Sequence, residues 1–339
     1  MFGTYRTLLA FMVVGQHLGG VPVIGSYAVF GFYVLSGYLM TLIMHERYAY
    51  GGIGLCRYLL NRFLRIYPSY WVSSLVSVCL ILAVGEPFSV AYHKAMALPL
   101  EPVSIIRNII IFFPGLETPR LTPPSWALTV ELFFYILIGL GLSRCLKVTI
   151  LWVVLSFVYH LVALCWGGDR YFSVFAASLP FATGALIYHC KDMGRKVFKR
   201  VCPPNVFDWL PVLLVGLIGI NCIIRVVNWR PEALLFYVNY VLCSVAVLLL
   251  ADQNRLLCVS KKLDRFFGEF SYPVYLLHYQ VGIFVIACSE LFGYTPKRGN
   301  PKVLLLSIPI LLMASYAMIL SIDRPIERIR KKVKTAKAG

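Results

Sequence analysis

Tyr5-Arg6-Thr7-Leu8-Leu9-Ala10-Phe11-Met12-Val13-Val14-Gly15-Gln16-His17 is the stretch whose reading decides the fold. It is apolar enough to bury as a helix, yet it carries Arg6, Gln16 and His17. It has a poor leader-peptide pattern, because a clear small-x-small cleavage site is missing. No cleavable signal is therefore expected, and residues 5–20 read as a retained first membrane span. Hydropathy alone undervalues such a span because its polar residues lower the average. Counting it makes the total number of spans even, which puts both termini on one side.

The rest of the chain agrees with a membrane reading. Of 339 residues, 59% are hydrophobic and 14% charged, with a mean hydropathy of +0.76. Soluble domains carry roughly 25% charged residues, so a soluble globular enzyme, a disordered chain and a coiled coil are excluded. Runs of about 20 apolar residues are long enough to cross a bilayer. Ten such runs can be drawn, at roughly 5–20, 26–45, 67–85, 126–143, 148–166, 172–190, 209–227, 233–251, 270–292 and 303–321. The expected fold is all-α, a polytopic integral membrane protein of about ten transmembrane helices. One transmembrane domain covers residues 1–325, followed by a basic tail, 326–339. Residues 86–124 form a long Pro-rich outer loop. Its apolar stretch from Val103 to Phe113 is too short to cross, which predicts an interfacial or re-entrant helix.

The formal net charge of +17 comes from 32 Lys and Arg against 15 Asp and Glu. No soluble part is left to hold a duplex, so nucleic acid is not the expected partner. Cytoplasmic loops of membrane proteins are enriched in Lys and Arg. With the N-terminus inside, 23 of the 32 fall on inner segments and 9 on outer ones. Both termini are therefore expected in the cytoplasm. The ten cysteines lie mostly within apolar runs and show no CxxC or zinc spacing. They read as small hydrophobes, and no metal is expected.

Ionisable groups inside a bilayer are costly and mark function by default. Arg6 and His17 are eleven positions apart, within about 20° of three full helical turns, so they share a face roughly 16 Å apart in depth. Burial favours a neutral imidazole, which can accept a proton; a histidine satisfied by a neighbouring helix is the other reading. Arg62 and Arg65, at i and i+3, lie before the third span on the expected cytoplasmic side. Paired guanidinium forks suit phosphate, and topological anchoring explains them equally. Glu131, entering the fourth span after Ser125-Trp126, is the only acid well inside a predicted span. It reads as a partner for His17, an Arg or an acceptor hydroxyl, or as a structural ion pair. Ser271, Tyr275 and His278 fall on one helical face, as a polar cavity wall or as interface anchors.

Together these stretches resemble the membrane-bound acyltransferase-3 family of bacterial O-acyltransferases. The resemblance rests on Arg6-x10-His17, on Phe30-Gly31-Phe32-Tyr33-Val34-Leu35-Ser36-Gly37-Tyr38-Leu39, and on Arg62-x-x-Arg65-Ile66-Tyr67-Pro68-x-Tyr70-Trp71. It also rests on Ser125-Trp126 to Glu131, on Ser271-Tyr272-x-x-Tyr275-Leu276-x-His278, and on the basic tail after Asp323-Arg324-Pro325. Each is weak alone; in family order over nearly the whole chain they are strong. Thr7, Ala127, Thr129 and Asp323 depart mildly from the family pattern. The chain also stops soon after its tenth span, without the extra span and hydrolase-like domain of some members.

The resemblance implies acyl transfer in a bacterial inner membrane. The donor would be acyl-CoA, most often acetyl-CoA, used as a cosubstrate. The acceptor would be a carbohydrate hydroxyl of a surface polysaccharide or its lipid-linked precursor, such as lipopolysaccharide O-antigen. It assigns His17 as base with Glu131 orienting it or the acceptor, and Arg6, Arg62, Arg65, Ser36 and Tyr67 to the donor. Ser125, Trp126, Ser271, Tyr275 and His278 fall to the acceptor. The rival from another class is a transporter or flippase of a lipid-linked sugar. That reading favours repeated halves and Gly/Pro-broken spans, which are not evident here. A non-catalytic scaffold would tolerate loss of His17 and both arginines.

Overall fold

The computed structural model describes residues 2–201, 203–227, 232–253, 256, 259–294 and 297–335, and every regular element among them is helical. Arg230, Arg255 and Lys337, counted above in the charge asymmetry, lie outside the described residues. The elements run α1 (Gly3–Gly19), α2 (Ile24–Ile43), α3 (Gly52–Val84), α4 (Glu86–Tyr92), α5 (Pro102–Ile110), α6 (Ser125–Leu140) and α7 (Leu146–Trp166). They continue with α8 (Val174–Val201), α9 (Pro204–Val226), α10 (Glu232–Gln253), α11 (Lys261–Leu291), α12 (Pro301–Met318) and α13 (Arg324–Thr335). Single π turns, Met44–Tyr48 and Ile319–Asp323, follow α2 and α12.

Helices stand at all ten positions marked by the apolar runs. Among the described residues, six stretches are long and apolar enough to cross a membrane: Ile24–Tyr48, Gly52–Val84, Leu146–Trp166, Ala233–Ala251, Lys261–Leu291 and Pro301–Val333. Ser125–Leu140 and Trp209–Arg225 are shorter apolar helices. The chain is a helical, multi-pass membrane protein. Two helix starts lie well before the sequence reading, and α8 runs on to Val201 past the end expected near residue 190. The helices expected to begin near residues 67 and 270 begin at Gly52 and Lys261. Pro68 and Pro273 sit inside them, where a proline usually ends a helix. The charged turns before each proline stay helical because neighbours cover them: α13 packs on α3, and α1 on α11. Arg62 and Arg65 are thus mid-helix residues, not loop residues.

Packing sorts the helices into inner and outer. Nearly all of α2 is buried, against α1, α6, α8 and α10. Gly37 lets α8 come close, since a Cβ there would lie 2.1 Å from the Phe181 carbonyl oxygen. Gly184 returns the arrangement, its Cβ position being 2.0 Å from the Val34 carbonyl oxygen. Small residues permit such backbone approach in membrane bundles. By contrast α7 exposes Leu151, Leu155 and Val158, and α12 exposes Leu305, Leu306 and Met313. Exposed apolar surface on this scale belongs against lipid.

The outer loop holds two short helices, α4 and α5. At nine residues α5 is about 14 Å long, too short to cross, and it exposes Val103, Ile106 and Ile109. Tyr67 Oη and Trp71 Nε1 on α3 each donate to its last carbonyls, Ile110 and Ile109, over 2.9 Å. Buried Asn108 ties it to the loop by donating to Ser104 and Pro119 oxygens and accepting from the Leu121 amide. Three histidines away from these contacts have partners of their own: His160 Nε2 donates to the Ala176 carbonyl, and His45 and His189 both reach the Ser143 carbonyl.

The pairing of α1 with α11 places the site. The two run parallel in constant register, with partners 260 or 261 residues apart. At the start, the Asp264 carboxylate accepts from the Gly3 and Thr4 amides at 3.0 and 2.9 Å. Those are free donors of a helix N-terminus, capped here from another helix. The approach is close enough that a Cβ on Gly3 would meet the Asp264 carbonyl oxygen at 1.7 Å. Asp264→Ala leaves two amides without acceptors and should destabilise by about 1–3 kcal/mol per orphaned group. Thermal unfolding of the detergent-solubilised protein checks this; an unchanged midpoint would exclude the cross-helix cap.

Candidate active site

Two clusters of functional side chains lie at different depths along α1. The first surrounds a cavity of about 450 Å³ near the helix start. Arg6 comes from α1, Ser36 and Met40 from α2, Arg62 and Arg65 from α3, Glu131 and Tyr135 from α6, and Ser271, Tyr272 and Tyr275 from α11. α13 supplies Glu327 and Arg330. Four arginines therefore face two glutamates. Arg62 and Arg330 both donate to one oxygen, Asn61 Oδ1, over 2.7 and 3.1 Å. The Nε atoms of both guanidiniums are buried without a partner. Arg65 lies over the Tyr272 ring at 5.4 Å. Such an excess of half-buried and buried guanidinium has the chemistry to hold an anion with several oxygens.

Glu131 belongs to this cavity. Ser36 Oγ and Tyr135 Oη donate to its two carboxylate oxygens, each over 3.1 Å. Its hydrogen-bond partners are thus not the histidine that the sequence reading offered it. Tyr67 also stands apart, because α3 turns it toward α5. Ser125 is buried at the start of α6, and Trp126 packs on Tyr171 and Phe172; neither lines the cavity.

Sequence reasoning missed Arg330 and Glu327. They look like ordinary tail charges, yet α13, which continues α12 through the π turn at Ile319–Asp323, packs on α3. Ser69 Oγ donates to Asp323 at 2.6 Å, and Arg324 pairs with Glu269 at 3.0 Å. Arg330 and Glu327 form an ion pair. Arg330 is only 7% exposed, which no hydropathy profile of a basic tail would suggest.

The second cluster lies about three turns further along. His17 Nδ1 is 2.9 Å from His278 Nε2. Tyr279 packs on both rings at 5.0 and 4.7 Å. Two connections close over it: His93, from the loop between α3 and α6, stands edge-on to Tyr279, and Arg298, between α11 and α12, lies across the Tyr92 and Tyr279 rings. Of the predicted face, Ser271 and Tyr275 line the arginine cavity while His278 turns to His17. Tyr275 links the two clusters: its ring is 6.2 Å from His278, and its hydroxyl donates to the Pro124 carbonyl.

His93 stands in the outer loop after α4. Burial lowers its pKa to about 3, helped by the Arg298, Arg120 and Lys94 cations. Its Nδ1 accepts from the Ala95 amide, which requires the unprotonated ring. An unfolded histidine titrates near 6.5. The neutral ring therefore contributes stability in full above about pH 6.5, and this is lost as pH falls toward about 3. Melting curves between pH 7 and pH 4 should show a smaller loss of stability for His93→Gln than for the parent; equal losses would exclude His93 as a source.

Residues 3–322 match the family model described as an acyltransferase domain. No curated protein and no solved structure matches the chain.

Proposed function

The chain belongs to the acyltransferase-3 family, and on that premise we propose that it moves a short acyl group, acetyl first, from acyl-CoA to a carbohydrate hydroxyl. The acceptor is a surface polysaccharide or its lipid-linked precursor, such as lipopolysaccharide O-antigen, and the setting is a bacterial inner membrane. The observation that carries the donor assignment is the cavity where Arg6, Arg62, Arg65 and Arg330 converge. CoA phosphates are multiply charged oxyanions, which guanidinium forks bind in pairs. The proposed topology has ten spans with both termini cytoplasmic. It is supported by the parallel course of α1 and α11, the first and ninth runs, because odd-numbered spans share a direction. It puts the cavity on the cytosolic side, where acyl-CoA is.

In this reading the phosphates rest among the arginines and the thin pantetheine arm runs along α1 toward His17. His17 takes the proton of the acceptor hydroxyl while that oxygen attacks the thioester carbonyl. The C–O bond forms and the C–S bond breaks. The CoA sulfur leaves with the electron pair and recovers the proton from His17. Products are the O-acyl sugar and free CoA. Glu131, which accepts from Ser36 and Tyr135, faces the arginines across the cavity and helps to hold them in place. Ser271 and Tyr275 line the passage from donor cavity to histidine. A relay in which the acyl group rests on the protein before reaching the sugar would use the same donor residues.

Three measurements test this. His17→Ala, with expression verified, should lose about 10²- to 10⁴-fold in transfer; near-normal transfer would exclude the base role. Arg62→Glu should raise the donor KM by about 10- to 100-fold, since charged hydrogen bonds contribute about 1.5–3 kcal/mol each, with little change in acceptor KM. An unchanged donor KM would leave Arg62 as a topological anchor. Mass spectrometry of surface glycans with and without the gene then reads donor and acceptor together, as one acetyl unit per repeat.

A further inference from the structure

His278 is fully buried on α11. Its Nδ1 lies 2.8 Å from the Tyr275 carbonyl oxygen. A carbonyl can only accept, so His278 Nδ1 carries a proton. A second proton on Nε2 would make a buried cation with no counter-charge, which is costly. His278 Nε2 is therefore a lone pair, and it stands 2.9 Å from His17 Nδ1. The ring planes differ by 9° and the centroids are 5.1 Å apart, much further than the two nitrogens. The rings thus meet edge to edge, with the His17 Nδ1–H directed along that lone pair.

We propose that His278 is a positioning residue, which locks His17 in the tautomer with its proton on Nδ1 and its basic lone pair on Nε2. The Tyr275 carbonyl orients His278, and His278 orients His17. A backbone carbonyl thereby sets which nitrogen of His17 faces the acceptor. The same contact stabilises the imidazolium that forms when His17 has taken the proton, because the Nδ1–H then donates more strongly. This rests on the reading of His17 as general base. It gives His278 a different part from the acceptor contact its sequence position suggested.

The test uses the full-length protein in detergent or nanodiscs. In ¹⁵N-histidine-labelled wild type, the His17 signals, identified by their loss in His17→Asn, should show a protonated Nδ1 and a bare Nε2 at neutral pH. A proton on Nε2 instead would overturn the proposal, whatever the variants do. His278→Leu removes the acceptor. It should lower kcat by about 10²-fold or more, the scale of misorienting a catalytic histidine, and leave the donor KM unchanged. The acid limb of kcat/KM should move to lower pH, because the imidazolium has lost its acceptor. His278→Gln offers a side-chain carbonyl to the same Nδ1–H and should recover most of the rate and return the acid limb. Equal loss in folded Leu and Gln variants would overturn the positioning role. If His17→Ala is inactive while His278→Leu keeps wild-type kcat and pH profile, this inference alone falls. If His17→Ala is active, the base reading falls with it.

Discussion

The parallel pairing of α1 with α11 is the constraint on which the rest depends. A membrane bundle gains little from the hydrophobic effect between its helices, so close packing and specific polar contacts carry the association. Here the contacts sit at both ends of one interface. Asp264 caps the start of α1, Thr7 Oγ1 donates to the Phe267 carbonyl at 2.6 Å, and His17 meets His278. A shift of one residue would break all three, and a rotation of 100° would carry His17 away from its partner. The register that makes the helix pair fit therefore also aligns the histidines, so stability and chemistry share one interface.

The cavity is built differently, by convergence. Six helices each lend it one or more side chains, and the glycines at 37 and 184 hold α2, which lines one side of it, tightly against α8. Carboxylates do not match the guanidiniums one for one. Glu131 is engaged by two hydroxyls, and Glu327 pairs with Arg330. This imbalance separates the cavity from a structural salt-bridge network, in which charges close on each other.

Much of this was legible in the sequence, and what was not has physical reasons. Apolar run length marked ten helices, since crossing a bilayer demands it. Arg6 and His17 stood out because an ionisable group in an apolar context is costly, and Arg62 and Arg65 because their spacing puts two guanidinium forks on one face. Glu131 was visible as a buried acid, but its partners depend on how α6 is rotated about its axis, which no spacing within α6 encodes. Asp264 sat unnoticed among lysines and arginines because its donors lie 260 residues away. Helix starts were misjudged at Pro68 and Pro273 because local propensity yields to packing. Arg330 was hidden for the opposite reason: a basic tail is expected to be wet, and this one packs on α3.

The shared oxygen of Asn61 has a thermodynamic consequence. Two guanidiniums are held near one neutral acceptor, with Arg6 and Arg65 in the same cavity, so like charges repel across a site of low dielectric. Folding must hold that repulsion in check. An entering polyanion cancels it, and a ligand that binds only the folded state stabilises it by mass action. Occupancy of the cavity and cohesion of α3, α6 and α13 are then linked quantities. In the proposed reading, a bound polyanion would therefore raise the stability of the bundle at this end before any bond is made or broken.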